Sequence, residues 1–503
     1  MSDTTLTPNV TGNINLKKVK MFDPISQLPD CILSHILTNL SIKDFLKARL
    51  LSKGWSNLWT LTRDLYFDIF NVFGYTEQQL LQKGYLMDVP VHSTFSSSIE
   101  RRLNLDITRD PFVKLVDQFL NHFNATIVDS FLLNFYLDSQ QQNTIDEWLR
   151  FVIARGVGRI DLLFRGSPYT LRSRPRRPYK FPFHLFSETN ASTLKHLRLE
   201  YCIVSIPPNC NFIPFKNLSF LSLKWVKMDG SFIQSLTQLE ELHLVHCDFK
   251  SLSIMIASSS LRHLEVTSCY LLFGNSMKDV TLTSLDCPKL TSLDYSGHFL
   301  PNMNFNTPML NNIQLPLVYS GEYLNAFRLL ATLPKFENLQ LEIYSMVPTS
   351  VKITQPLKHL KELSLIFNRP FDTPRKLEFD LSSILNILQA SPLLEKLSVM
   401  ITSPEIIENQ KVDRDVEAFS HDEVKDIELR GCVGNWYEVE FAMNVMKYAN
   451  KLERIVLSPY WRDDMDEFLN WTSNPAWFQN GRQRIAETLQ NEEVVGREKL
   501  VLI

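Results

Sequence analysis

No run of about 18 consecutive apolar residues occurs in this 503-residue chain, so the sequence offers no membrane-spanning helix. Its first twenty residues mix Asn, Thr and Lys without an apolar core, which leaves nothing that reads as a secretory leader. The expectation is a soluble intracellular protein of the nucleus, the cytoplasm or both. Positive charge is not in excess either: the formal net charge is −3, which argues against general binding of nucleic acid or anionic lipid. Seven cysteines, an odd number spread without any CxxC pair, argue against a disulfide framework and a zinc cluster. Catalytic signatures are missing as well. There is no GxSxG elbow, no glycine-rich phosphate loop ending in GKS or GKT, no HExxH helix and no GxGxxG after a strand. No catalytic residue, metal or cofactor is assigned, and the expected role is not enzymatic.

What is there is a folding chain. Hydrophobic residues make up 44% and charged residues 21%, a balance that buries a sizeable core. At 503 residues the chain exceeds what one compact core holds, so it forms several domains or one elongated repeat array.

The stretch from Asp23 to Trp59 fits two helices. Pro29 suits a first helical turn, and Ile32, Leu33, Ile36, Leu37 and Leu40 follow with 3.6-residue periodicity. Ser41 can cap a second helix with Asp44 in its first turn, and Phe45, Ala48, Leu51, Trp55, Leu58 and Trp59 supply its apolar face. So few residues can hardly bury this many large apolar side chains among themselves, and a partner surface should cover the remainder. The segment resembles the F-box family in Leu28-Pro29, the stripe that follows, Leu50-Leu51-Ser52-Lys53 and Trp55. That resemblance implies docking to a Skp-family adaptor, and through it to a cullin, by Leu28, Pro29, Ile32, Leu33, Ile36, Leu37, Leu50, Leu51 and Trp55. Gly54 departs from the Arg of many relatives, and glycine costs a helix ~1 kcal/mol relative to alanine, so weaker adaptor docking is expected.

An LxxLxL spacing then recurs twelve times. It begins with VGRIDL at Val157 and LKHLRL at Leu194, and ends with VKDIEL at Val424 and LERIVL at Leu452, at a mean separation of about 27 residues. An earlier copy, VDSFLL, starts at Val128, and Ile145, Trp148, Leu149, Val152 and Ile153 form an amphipathic helix after it. The pattern resembles the leucine-rich-repeat family. Cys202, Cys247, Cys269 and Cys432 each fall three residues after the last apolar residue of a motif, where that family turns a small Asn or Cys inward at the bend. Residues 424–457 read as strand, turn, helix through Val439, Ala442, Met443 and Met446, and strand; a second helix near 480–489 and the tail KLVLI follow. This end resembles the FBD domain of plant F-box proteins. The fold class implied is α/β: a small all-helical F-box module, then an irregular leucine-rich-repeat solenoid with a curved parallel sheet and a helical outer wall, ending in an FBD-type cap. The expected organisation is a disordered terminus over 1–21, the F-box over 22–68, a helical or irregular connector over 69–126, repeats over 127–420 and an FBD-like domain over 421–503.

Between the inward leucines, parallel stacking should align outward residues into ladders. One runs Asp161, Arg198, Ser222, His243, Glu265, Asp294, Gln314, Gln340, Ser364, Ser398, Glu428 and Val456. A second runs from His196 through Phe220, Glu241, His263 and Ser292 to Arg454. An exposed Phe220 beside His196, His243 and His263 is the least bland spot, and with Arg198 and Glu265 it makes the candidate substrate-facing set. His243 and His246 should point to opposite faces of their strand and Cys247 has a structural place, so they make no metal site. The basic run from Arg172 to Lys180, interrupted by Pro175 and Pro178, reads as a solvated loop or a nuclear import signal. The functional expectation is the substrate-recognition subunit of a Skp–cullin–F-box ubiquitin ligase that binds an unidentified protein substrate. A repeat scaffold without ligase activity is the alternative, and a small-molecule co-receptor comes third.

Overall fold

The computed structural model describes residues 28–29, 31–33, 36, 40–48, 63–92, 97–165, 177–205, 215–228, 233, 236–273, 276–300, 303–318, 323–343, 353, 355–368, 381–406, 420–463, 470–491, 494 and 496–503. An LxL pair puts both apolar residues on one side of an extended strand, because successive side chains alternate. Each such strand hides that side only by stacking on its neighbours. Fifteen strands do so in one sheet whose spatial order is the chain order. They are β1 Asp64–Asp68, β2 Ser130–Asn134, β3 Arg159–Leu163, β4 His196–Glu200, β5 Phe220–Lys224, β6 Glu241–Val245, β7 His263–Thr267 and β8 Ser292–Tyr295. The series continues with β9 Asn312–Val318, β10 Asn338–Ile343, β11 Glu362–Phe367, β12 Lys396–Ile401, β13 Asp426–Arg430, β14 Arg454–Ser458 and β15 Leu500–Leu502.

Every neighbouring pair is parallel, so the chain advances one strand per turn as a solenoid. All twelve motif segments are strands β3 to β14, and the earlier copy is β2. The register stacks like on like: Leu197, Leu221, Leu242, Leu264 and Leu293 are successive partners, each at most 2% exposed. At about 1.5–3 kcal/mol for each buried leucine, the column stabilises an array that no single repeat could hold. β13, β14 and β15 extend the same sheet, so the stretch that resembles an FBD domain continues the solenoid, with Val439, Ala442 and Met446 of the helix Trp436–Tyr448 buried against it.

The expectation of a helical outer wall needs correction in the middle of the array. Helices Gln142–Ile153, Tyr323–Leu330, Ser382–Ala390 and Trp436–Tyr448 form the wall towards its two ends. Among the described residues between 179 and 306 the wall carries short strands, in a six-stranded and a three-stranded sheet. Repeat length accounts for part of the change: strands there start at His196, Phe220, Glu241 and His263, steps of 24, 21 and 22 residues, which leave too little chain for a long helix, whereas the longer step from His263 to Ser292 is filled by the antiparallel pair Tyr270–Phe273 and Ser276–Asp279.

The bends share one device. Tyr201, Trp225, His246 and Ser268 have φ of 57°, 57°, 53° and 51°, a left-handed conformation that turns the next residue inward. Cys202, Val226, Cys247 and Cys269 are those next residues, all buried. The Cys247 thiol donates to the Leu223 carbonyl and the Cys269 thiol to the Leu244 carbonyl, both at 3.2 Å. Side chains at the left-handed positions stack in turn: the Trp225 ring lies 5.8 Å from Tyr201 and 3.9 Å from His246. Packing thus offsets the steric cost of about 1–2 kcal/mol that a left-handed non-glycine residue carries. At the corresponding bend after β13 the residue is Gly431, where a Cβ would collide with the Ile401 carbonyl oxygen. Among the described residues no helix is long and apolar enough to cross a membrane.

Candidate functional site

Two surfaces carry the residues that the sequence singles out. The first is N-terminal. Residues 31–33 are helical, and the Leu33 amide donates to the Pro29 carbonyl at 3.0 Å, so Pro29 occupies the first turn, where its missing N–H costs nothing. The second helix, Ile42–Ala48, is capped by the Ser41 hydroxyl, which accepts from the Asp44 amide at 3.1 Å. Its Ile42 and Phe45 are each 6% exposed and face the rest of the chain. The Phe45 ring lies 5.6 Å from Phe119, Phe119 lies 5.4 Å from Phe67 on β1, and Phe67 lies 5.9 Å from Phe131 on β2. Four rings in series therefore tie this helix to the first two strands of the sheet.

The apolar residues ahead of that helix divide into two groups. Leu33 is 2% exposed and belongs to the core, and Ile36 is half-buried. Leu28 and Ile32 are 37% and 46% exposed, and Pro29 is exposed between them. Leu37, Leu50, Leu51, Trp55 and the departure at Gly54 lie outside the described residues.

The second surface is the outward face of β3 to β8. Both ladders are in register as the motif spacing requires: Arg198 pairs with Ser222, Ser222 with His243, His243 with Glu265 and Glu265 with Asp294. Two residues earlier on each strand, His196 pairs with Phe220, Phe220 with Glu241 and Glu241 with His263. Phe220 is not the exposed anchor expected. It is half-buried because His196 stacks on it at 3.9 Å with the rings 5° from parallel, and His243 leans on it at 5.3 Å. His263 continues the column 4.9 Å from His243.

Charges on this face fall into two kinds. At the β3–β4 end, Asp161 is 1% exposed and lies 2.6 Å from Arg159 Nε and 2.9 Å from His196 Nε2. Burial works against its ionised form, but those two partners prevail and hold its carboxyl below the usual range. Arg198 pairs with Glu200 at 2.8 Å. On β6 to β8 the charged neighbours of the carboxylates are imidazoles, and Glu265 also accepts from the Thr267 hydroxyl at 3.3 Å. His243 Nδ1 lies 2.8 Å from Glu265 and its Nε2 3.7 Å from Glu241, while His263 Nε2 lies 4.0 Å from Asp294. Burial alone would pull the His243 imidazole down, yet Glu265 and Glu241 outweigh it and raise it. His263 is lowered by burial and by the neighbouring His243. Burial pushes the Asp294 carboxyl up to about 6, with Glu265 adding to the push. Glu241 and Asp294 sit in the ladders but were not singled out. Their significance comes from which cations the register fails to bring them.

His246 stacks on Trp225 at the bend and Cys247 is buried, and no group of His, Cys, Asp or Glu suited to a metal occurs among the described residues. The basic run ends in the short strand Tyr179–Lys180, whose Tyr179 is buried and donates to Asp146 at 2.6 Å, so its last residues are wall and not loop. Its residues up to 176 lie outside the described ones.

The At1g61320/AtMIF1, LRR domain family model matches residues 120–487, and the F-box domain model matches residues 25–65. The chain is 24% identical to F-box/LRR-repeat protein At3g58940 of Arabidopsis thaliana, over 67% of this chain and 50% of that protein. It is 25% identical to F-box/LRR-repeat protein At3g58930 of the same plant, over 54% of this chain and 51% of that one. The chain thus spans about half the length of these relatives. With F-box/FBD/LRR-repeat protein At1g13570 of Arabidopsis thaliana it shares 24% identity over 87% of this chain and 91% of that protein.

Proposed function

Because the chain belongs to the plant F-box and leucine-rich-repeat family, we propose that it is the substrate-recognition adaptor of a Skp–cullin–F-box ubiquitin ligase. The observation that carries the reading is the division of apolar residues in the N-terminal module. Leu33, Ile42 and Phe45 are spent on the chain's own core, whereas Leu28, Pro29 and Ile32 stay exposed at the start of the module. Residues of that kind gain free energy only from a partner, at about 25 cal/mol per Å² covered.

The adaptor contributes position. Its F-box end holds the ligase core, the outward face of the sheet holds the substrate, and ubiquitin transfer gains from the effective concentration that results. Reacting groups on the ligase core do the chemistry, and the fixed distance between the two surfaces is what this chain supplies.

Co-precipitation of the full chain with a Skp-family adaptor tests the reading. Ile32→Asp, and separately Leu28→Ala with Pro29→Ala, should weaken capture at least about tenfold, or ~1.4 kcal/mol. Both leave the melting curve near that of the native chain, since the altered side chains are exposed. Absence of capture by the native chain, or full-strength capture by both variants, would falsify the proposed contact.

A further inference from the structure

Four carboxylates on the outward face of the sheet have an arginine of their own. Asp161 has Arg159 at 2.6 Å, Glu200 has Arg198 at 2.8 Å, Glu428 has Arg430 at 2.8 Å and Asp426 has Arg454 at 2.8 Å. In the first three of these pairs the arginine stands two residues from the carboxylate on the same strand, so that both side chains share a face.

β6, β7 and β8 gather three carboxylates that have none among the described residues. Glu241, Glu265 and Asp294 occupy three adjacent strands, and Glu265 is the direct register partner of Asp294. Like charges opposite each other in a ladder repel. Among the described residues no lysine or arginine pairs with any of the three, and their neighbours are His243 and His263. Two residues before Asp294, where β3 and β4 carry Arg159 and Arg198, stands Ser292. Burial and then the Glu265 charge push the Asp294 carboxyl up, with only the weaker pull of His243 against them. Beside the three carboxylates the rings of Phe220, His243 and His263 form a row, each tilted by about 40° to the next.

We infer that the outward face of β6 to β8 receives an arginine side chain from a basic, extended segment of the bound protein, with Glu241, Glu265 and Asp294 as counter-charges and the ring column as its stacking wall. A planar guanidinium matches both features at once. It donates in a fork to carboxylates and lies flat on aromatic faces, whereas an ammonium is a point charge that pairs without the fork and touches a ring without stacking on it. The inference names the class of substrate segment and in that respect rests on the ligase-adaptor reading; the site itself does not. An anionic ligand is opposed by the same charges.

The test uses the full chain and a fluorescein-labelled short peptide with three arginines in a Gly-Ser background, against lysine, glutamate and serine counterparts, by anisotropy in about 0.1 M salt. The arginine peptide should bind best, the lysine peptide several-fold more weakly, and the other two not at all. Two variants bracket the site. Glu241→Gln with Glu265→Gln and Asp294→Asn removes the charges at nearly constant shape. Ser292→Arg keeps the charges and supplies the missing cation from the chain itself, at the spacing used by Arg159 with Asp161 and Arg198 with Glu200. Each should weaken the arginine peptide at least about tenfold, or ~1.4 kcal/mol. If the triple variant misfolds, Ser292→Arg decides alone, since it introduces no buried vacancy. The inference is overturned if the native chain ignores the arginine peptide, if the glutamate or serine peptide binds equally, or if affinity survives Ser292→Arg. Adaptor co-precipitation on the same preparations separates the two readings. Peptide binding without adaptor capture keeps this site and sinks the ligase role, and the reverse sinks only this site.

Discussion

Truncating Phe45 to alanine should undock the N-terminal module from the repeats without touching the residues proposed to meet the adaptor. Phe45 is 6% exposed, and its ring, 5.6 Å from Phe119, is the first of the four that lead to Phe131 on β2. Phenylalanine-to-alanine changes in closed cores cost about 3–5 kcal/mol. The helix Ile42–Ala48 has seven residues and lies at the end of the array, where the gap can partly close, so the lower figure of about 3 kcal/mol applies. Ile42 remains as the other buried anchor of the helix. Because the loss falls on contacts between this helix and the rest, it should appear as local opening and not as global unfolding. About 3 kcal/mol corresponds to roughly two decades in the opening constant. Hydrogen exchange read by mass spectrometry should therefore show the amides of Phe45 to Ala48 exchanging about a hundredfold faster, with those of β5 and β6 unchanged. Adaptor capture should persist, because Leu28, Pro29 and Ile32 are intact, while ubiquitination of a captured substrate slows. Exchange altered by less than about threefold, or accelerated equally across the sheet, would refute the argument that these rings form a local joint.

Three further outcomes follow from single residues. Gly431→Ala adds a Cβ against the Ile401 carbonyl at a φ of 75°, so a cost of about 1–3 kcal/mol and a melting temperature lower by several degrees are expected by calorimetry. Burial pushes the thiols of Cys202, Cys269 and Cys432 well above the ordinary cysteine range, whereas Cys31 is exposed. Iodoacetamide at mildly alkaline pH should then label Cys31 in the native chain and the other three only after denaturation, as peptide mass spectrometry would read out. Glu438 is fully buried, and burial pushes its carboxyl up to about 7 even though the amides of Val433 and Gly434 donate to it. A folded value above the unfolded 4.5 means that its contribution is present below that pH and is lost as pH rises towards about 7, of the order of 3 kcal/mol in all. Glu438→Gln should flatten the fall in stability over that window in denaturant titrations, and an unchanged slope would contradict the assignment.

Much of the solenoid could be read from spacing because its register repeats. Leu197, Leu221, Leu242 and Leu264 recur at the same place in each motif, and a parallel ladder keeps equivalent residues opposite one another. The same regularity made the inward cysteines legible. β1 and β15 escaped because DLYFD and LVL lack the leading apolar residue of the full motif, and a terminal strand has a neighbour on one side only. The strands of the outer wall escaped because wall structure follows from repeat length and local packing, which the concave motif does not encode. Phe220 was placed correctly in its ladder, yet its cover comes from His196 and His243 on the two adjacent strands, some twenty residues away in each direction. The candidate site was legible as a ladder of residue types. Its chemistry was not, because the meaning of Asp294 lies in the arginine that the register fails to bring to it.

The two surfaces can be specified independently, and the geometry says why. Inward residues set the fold, and outward ones such as Ser222, Gln314 and Ser364 can change without disturbing the leucine column. Where an outward carboxylate has its own arginine, as Asp161 and Glu428 do, the pair largely cancels its field and offers a ligand little. Glu265 and Asp294 have imidazoles and, among the described residues, no arginine or lysine beside them, so the attraction of the face concentrates there. Asp294 lies on β8, seven strand spacings from β1, or roughly 34 Å along the sheet at about 4.8 Å each. The Phe45 joint secures the module at the β1 end of that span. A rigid span of this kind delivers the bound segment to one place relative to the adaptor, whereas a loosened joint spreads it over many, and effective concentration falls with the volume explored. That is why Phe45→Ala should lower transfer while leaving both partners bound.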